Sequence, residues 1–223
     1  MARENSQPQA QAQEVQNRPE TVLFAGIERC DILELLTQTG MKEGKRVCVI
    51  DDSYSHDLFI TKAPDENSMD TDRDNITYFK DTQYSPKIKE YYDFIFVYTG
   101  MRDDVKIDAD YYIIQTDAAK QNLLRTRHIM EAMGINDYFL IYRDRESKKI
   151  KPSAMIDFLG TKPEETAVID LNVEDFSAYV AFTNNSHMVE GLKNFSTGMQ
   201  DTAVYLYEKL YHVDNKTMKR RYY

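Results

Sequence analysis

With 223 residues, 28 lysines and arginines against 37 aspartates and glutamates, and a net charge of −9, the chain can bury one substantial core. That acidity argues against non-specific binding of nucleic acid or an anionic membrane by the body of the protein. Two cysteines, Cys30 and Cys48, have neither metal-ligand nor disulfide-framework spacing and are expected to be reduced thiols, buried or half-buried, in a cytosolic protein. No apolar run approaches a membrane span, and the N-terminus lacks the apolar core of a signal peptide.

Met1 to Glu20 is glutamine-rich and almost devoid of large apolar residues, so burial cannot offset its ordering entropy. The expected organisation is therefore a disordered tail over 1–20, a single domain over 21–213 and a basic tail over 214–223. The stretch that organises the domain runs from Thr21 to Asp52. An apolar run, Thr21 to Ala25, turns at Gly26; Ile32, Leu35, Leu36 and Thr39 come next at helical spacing until Gly40 and Gly44 break the pattern. A second run, Val47 to Ile50, ends on Asp51 and Asp52. This is a strand, helix, strand unit whose second strand delivers two carboxylates to its carboxyl end, the edge at which open α/β sheets bind ligands.

The loop between the first strand and its helix bears on that ligand. A phosphate cradle needs glycines, so that backbone N–H groups converge, and a lysine. Here Gly26 is followed by Ile27, Glu28, Arg29, Cys30 and Asp31. Asp31 with Glu34 three residues later reads as a capping box, in which carboxylates take the N–H groups a phosphate would otherwise use. The site is expected to be closed to nucleotide.

Further along, Leu58 to Thr61 reads as a short strand and Pro64 to Asp74 as an acidic loop without the central glycine of a calcium site. Ile76 to Phe79 predicts a strand, Ser85 with Pro86 a helix start, Phe94 to Thr99 a fully buried strand and Ala109 to Thr116 another. Asp117 to Met133 predicts a helix with Ala119, Leu123, Thr126, Met130 and Met133 on one stripe, Gly134 as its stop, and Lys120, Arg125, Arg127 and His128 opposite. Strands at Tyr138 to Tyr142 and Ala167 to Leu171 alternate with helices at Pro152 to Leu159 and Val173 to Phe182, the latter capped by Asn172. A last helix, Phe195 to Val213, places Met199, Ala203, Leu206, Leu210 and Val213 on one side. The alternation specifies an α/β fold with a doubly wound, mainly parallel sheet flanked by helices.

The succession of segments resembles the MinD/ParA class of P-loop ATPases, the deviant Walker A family, from Thr21 to about Leu210. GKRVCVIDDS resembles its second strand ending in Asp, YYDFIFVYTG its Walker B strand, and ADYYIIQTDAAKQNLLRTRHIMEAM the strand and helix after switch II. DYFLIYRDRES is similar to the strand that ends in Asn-Arg, and the helix, strand and helix beyond it come in order. The resemblance implies a P-loop NTPase-like sheet that dimerises face to face over nucleotide. Against that pattern the loop Gly26 to Asp31 has no lysine, Tyr98 stands where the Walker B aspartate would organise magnesium, and Tyr142 replaces the adenine-recognising Asn, with Arg143 retained. Asp51 alone matches a catalytic-site carboxylate. Phosphoryl transfer depends on positioned cations and donors, so the expectation is a degenerate nucleotide site (Gly26, Glu28, Arg29, Cys30, Asp31, Asp51, Tyr98, Tyr142, Arg143), no cofactor or metal, and a pseudo-ATPase.

The resemblance further implies a scaffold or positioning protein working by protein contacts, as a homodimer or paired with a related ATPase, in an envelope machine such as a pilus, secretion or partition and division apparatus. A receiver-like signalling domain is the alternative, since RVCVIDDS resembles a receiver's acidic pair; it would have Asp51 and Asp52 bind magnesium, and its phosphoacceptor strand ends in Tyr98. A third reading is an enzyme on this fold that does not use ATP, with Asp51, Asp52, His56, Asp57 and Asp117 as acid/base candidates. The expected compartment is the cytosol. Lys216, Lys219, Arg220 and Arg221 at the C-terminus faintly resemble a membrane-targeting helix that would reach the inner membrane face.

Overall fold

Strands that are apolar at consecutive positions must be covered on both faces, which calls for helices on each side of the sheet. The computed structural model, which describes residues 20–63, 65, 67–81, 86–184, 192–214 and 216–217, has that architecture. Its strands are β1 (Glu20–Gly26), β2 (Val47–Asp51), β3 (Asp70–Arg73), β4 (Ile76–Lys80), β5 (Phe94–Gly100), β6 (Tyr111–Thr116), β7 (Phe139–Arg145) and β8 (Glu165–Asp170). Its helices are α1 (Asp31–Lys42), α2 (Asp57–Lys62), α3 (Lys120–Met133), α4 (Pro152–Leu159), α5 (Val173–Asn184) and α6 (Thr197–Tyr211).

Among the described residues the strands form one sheet in the order β3-β4-β2-β5-β1-β6-β7-β8, parallel except for the β3–β4 pair. Alternation along β1 sends Val22 and Phe24 into the core shared with α1 and α6, and Leu23 and Ala25 into the core shared with α3 and α4. From β1 the chain crosses through α1 to β2 on one side; from β6 it crosses through α3 to β7 on the other. The winding therefore reverses beside β1, and the crevice this opens lies over the carboxyl ends of the central strands.

A polar seam locks α6 to α1. The Tyr207 and Tyr211 hydroxyls donate to the carbonyls of Leu35 (3.0 Å) and Leu36 (2.7 Å). Gly40 permits the approach, because a Cβ there would lie 2.6 Å from the Tyr211 oxygen.

Several sequence expectations are corrected. Leu58 to Thr61 belongs to helix α2, not to a strand. The acidic stretch ending at Asp74 contains an edge strand, β3, antiparallel to β4. Of the helix start at Ser85 and Pro86 only a 3₁₀ turn, Pro86–Glu90, is seen, Ser85 lying outside the described residues. Helix α3 begins at Lys120, because Asp117 accepts from the Ala119 N–H (2.8 Å) and the Asn122 amide (2.8 Å) instead of joining the helix; Ala119 is consequently exposed. Helix α6 starts after Ser196, whose hydroxyl accepts from the Met199 N–H, and stops at His212 in the left-handed region. The tail expected at 1–20 lies outside the described residues apart from Glu20, which opens β1.

Candidate functional site

The loop between β1 and α1 is held by β6. Gly26 has φ of +108°, and a Cβ on it would lie 1.9 Å from the Gln115 carbonyl oxygen, so glycine is required by close backbone approach. The Ile27 N–H donates to that same oxygen (3.0 Å), and the Gln115 side-chain amide donates to the Arg29 carbonyl (2.8 Å). Further N–H groups are used locally: Arg29 to the Ile27 carbonyl (2.9 Å), Ile32 to an Asp31 carboxylate oxygen (2.8 Å) and Glu34 to the Cys30 carbonyl (2.8 Å). A phosphate cradle needs such groups convergent and unpaired.

The capping box expected at Asp31 and Glu34 is not formed; Cys30 caps α1 without a side-chain hydrogen bond. The carboxylates are drawn instead into buried ion pairs. Asp31 takes both terminal nitrogens of Arg143, at 2.9 and 2.5 Å, from the carboxyl end of β7. Glu34, fully buried, accepts from the Lys62 ammonium of α2 (2.6 Å) and the Tyr179 hydroxyl of α5 (2.8 Å). At the rim, Arg29 pairs with Asp144 (2.8 Å).

The end of β2 is equally committed. One Asp51 oxygen accepts from the Ser53 N–H (3.1 Å) and hydroxyl (2.6 Å), and the other from the Phe59 N–H (2.9 Å), which caps α2. Opposite Asp51 on β5 stands Tyr98, hydrogen-bonded to the Cys30 thiol; burial holds the protons of both groups well above their usual pKa values. Glu28 leans on Gly100, 3.2 Å from the position a Cβ would take there. Its carboxyl pKa is raised, by burial first and then by Asp57 and Asp51. Asp52 pairs with Arg102 (2.6 Å), which also bonds Asp104 (2.9 Å).

Gly26, Glu28, Arg29, Cys30, Asp31, Asp51, Tyr98 and Arg143 are thus gathered at the carboxyl edge of the sheet. Tyr142 is not among them: strand alternation turns it into the α3 and α4 layer, fully buried, with no hydrogen-bond partner for its hydroxyl among the described residues. Beside the Asp31–Arg143 pair a cavity of about 410 Å³ remains, walled by Leu171, Val173 and Phe176. Sequence reasoning missed Lys62, Tyr179 and Gln115. Tyr179 and Gln115 lay in a helix and a strand that were read from the sequence, and Lys62 just past a stretch read as a strand, but no local pattern says which side chains reach this loop from those elements.

Among the groups that magnesium or acid/base chemistry would use, Asp51, Asp52, His56 and Asp117 have partners within the protein. Asp51 and Asp52, the pair a receiver would offer to magnesium, are bound to protein donors and to Arg102. His56 Nδ1 sits 3.0 Å from the Asp51 carbonyl oxygen, and Asp117 caps the start of α3.

Solved structures share the fold of this chain. A MinC:MinD cell division protein complex from Aquifex aeolicus matches with a TM-score of 0.58 at 17% identity, covering 84% of this chain and 95% of the matched one. MinD cell division protein of the same organism gives 0.57 at 17%, over 84% and 96%. The fold is that of MinD. A single-residue variant of Cyanothece McdA in complex with ATP matches with 0.54 at 10% identity, over 88% and 98%. No protein-family model and no curated protein sequence matches the chain, so the likeness to MinD is one of shape. On this MinD-like fold the β1–α1 loop holds the internal ion pairs of Asp31 and Glu34, and no helix of the described residues is long and apolar enough to cross a membrane.

Proposed function

We propose that this chain is a non-catalytic MinD/ParA-like positioning or scaffold protein, a pseudo-ATPase that acts through protein contacts. The observation that carries the reading is the Asp31–Arg143 pair at the N-terminus of α1, which puts a carboxylate where a nucleotide's phosphates would need cations and free N–H groups. Tyr98 at the end of β5 and the capping role of Asp51 support it, since together they remove the groups that would organise magnesium. MinD and McdA, the neighbours by shape, are a cell division protein and a protein with an ATP complex; a positioning or division-related role comes to this chain from that likeness.

The contacts are assigned to the carboxyl edge, where Tyr54, Leu124, Leu171, Val173 and Phe176 are all at least half exposed. That edge would meet a second copy or a related ATPase, in an envelope machine such as a pilus, secretion or partition apparatus.

Isothermal calorimetry with ATP or ADP and magnesium tests the reading. No heat of binding is expected; micromolar affinity, or phosphate release by purified protein, overturns it.

A further inference from the structure

The amino-terminal edge of the sheet, opposite the β1–α1 loop, carries a second cavity of about 350 Å³, in the size range of small-molecule sites. Much of its wall is aromatic. Tyr111 and Tyr112 open β6, Phe139 opens β7, and Tyr205 of α6 stacks on Phe139 with ring centroids 5.1 Å apart. Three carboxylates line it, Asp110, Asp137 and Glu164, against one cation, Lys209, whose ammonium lies 5.8 Å from the Tyr205 centroid. Asp110 accepts from the Thr21 N–H (2.9 Å), but neither Asp137 nor Glu164 has an ion-pair partner among the described residues. The crowding of negative charge is felt at Tyr111, whose proton is held by burial first and then by Glu20, Asp110 and Glu164. One Glu20 oxygen is itself buried with no hydrogen-bond partner among the described residues.

This chemistry selects its ligand. An anion would be repelled by the carboxylates. A hydrated metal ion gains nothing from an apolar wall, and no group of side chains among the described residues has the makings of a metal site. Two of the lining tyrosines turn their hydroxyls to backbone, Tyr112 donating to the Ile107 carbonyl (3.3 Å) and Tyr138 to the Thr161 carbonyl (3.1 Å). Aromatic rings, the aliphatic side chains of Ile113, Leu206 and Leu210 and the unpaired carboxylates together suit a cation carried on an apolar stem, because ring faces attract an ammonium and apolar surface covers methylenes. We propose that this cavity binds an aliphatic diamine or polyamine, its stem against the Tyr205 and Phe139 rings and its ammonium ends on Asp137 and Glu164. The pair of unpaired carboxylates sets the demand for a charge at each end. None of these residues belongs to the β1–α1 loop, so binding here does not depend on whether that loop is closed to nucleotide.

Isothermal calorimetry of the full chain with putrescine, spermidine and butylamine tests the proposal. Saturable binding of putrescine and spermidine is expected, with butylamine, which has an ammonium at one end only, weaker by at least about tenfold. The Asp137→Asn, Glu164→Gln double variant, at exposed positions, is expected to lose at least about tenfold in affinity. A Glu90→Gln, Asp157→Asn variant, exposed and outside the cavity, removes as much charge and should bind as the parent does. Tyrosine ring resonances give a readout that needs no variant: spermidine should shift those of Tyr111, Tyr112 and Tyr205 and leave that of Tyr54, at the carboxyl edge, in place. Absence of binding overturns the proposal. So does an equal loss in the two double variants, which would mean diffuse attraction to an acidic protein. Butylamine binding as tightly as putrescine, or ring shifts confined to other tyrosines, overturns it too.

Discussion

Arg143 and Asp31 show how a single residue's environment decides its meaning. The pair is buried at both ends, and Arg143 Nε has no partner among the described residues, so the guanidinium depends on Asp31 for its compensation. Replacing Asp31 with Ala strands that cation and is expected to cost about 3–5 kcal/mol in urea unfolding, whereas Asp31→Leu with Arg143→Met together should recover most of the loss. If the double variant is no better than the single, the cost is not that of an unpaired charge. Glu28 carries the opposite sign. Its folded pKa lies above the ordinary 4.5, so the folded state holds the proton more tightly and loses stability as pH rises from 4.5 through the folded value. Glu28→Gln removes that penalty: melting temperature rises relative to wild type at neutral pH, and the difference closes below about pH 4. An equal gain at all pH values would mean that charge is not the cause.

At the scale of elements, the helix pair α1 and α6 is set by one glycine. In an isolated helix Gly→Ala is stabilising by roughly 0.5–1 kcal/mol. At Gly40 the new methyl group would meet the Tyr211 hydroxyl at 2.6 Å and push it from the Leu36 carbonyl, so Gly40→Ala is expected to destabilise. In a Tyr211→Phe background the same change should cost less, because the closest atom is gone. Additive costs in that double-mutant cycle would refute the polar seam between α1 and α6. Helix α2 is likewise settled from outside itself. Its Leu58, Phe59, Ile60 and Thr61 favour a strand locally, yet a carboxylate eight residues upstream, Asp51, captures the Phe59 N–H and begins a helix.

For the whole molecule, stability should be indifferent to nucleotide. A ligand at about a hundred times its dissociation constant adds about 2.7 kcal/mol to a folded protein that binds it. Millimolar Mg-ATP is therefore expected to leave the melting temperature unchanged in a thermal-shift measurement, and an upward shift that scales with ATP would contradict the proposed closed site.

By itself the sequence determined the architecture: consecutive apolar positions in Val47 to Ile50 and Phe94 to Thr99 demand a sheet covered on both faces, and glycines at 134 and 160 end helices. Gly40, read as a helix break, instead lies inside α1, where its packing against Tyr211 was not legible. The resemblance, not any local pattern, put Asp51 and Tyr98 in one site; their pairing across β2 and β5 is a fact of tertiary structure. Tertiary structure alone decided what the charged residues do. Asp31 and Arg143 are 112 positions apart, and Glu34 meets Lys62 and Tyr179 from separate helices, so no local pattern could encode these partners. A capping box and a buried ion pair use the same residues at the same spacing; the choice between them is made by which cation the fold delivers, a long-range fact of packing.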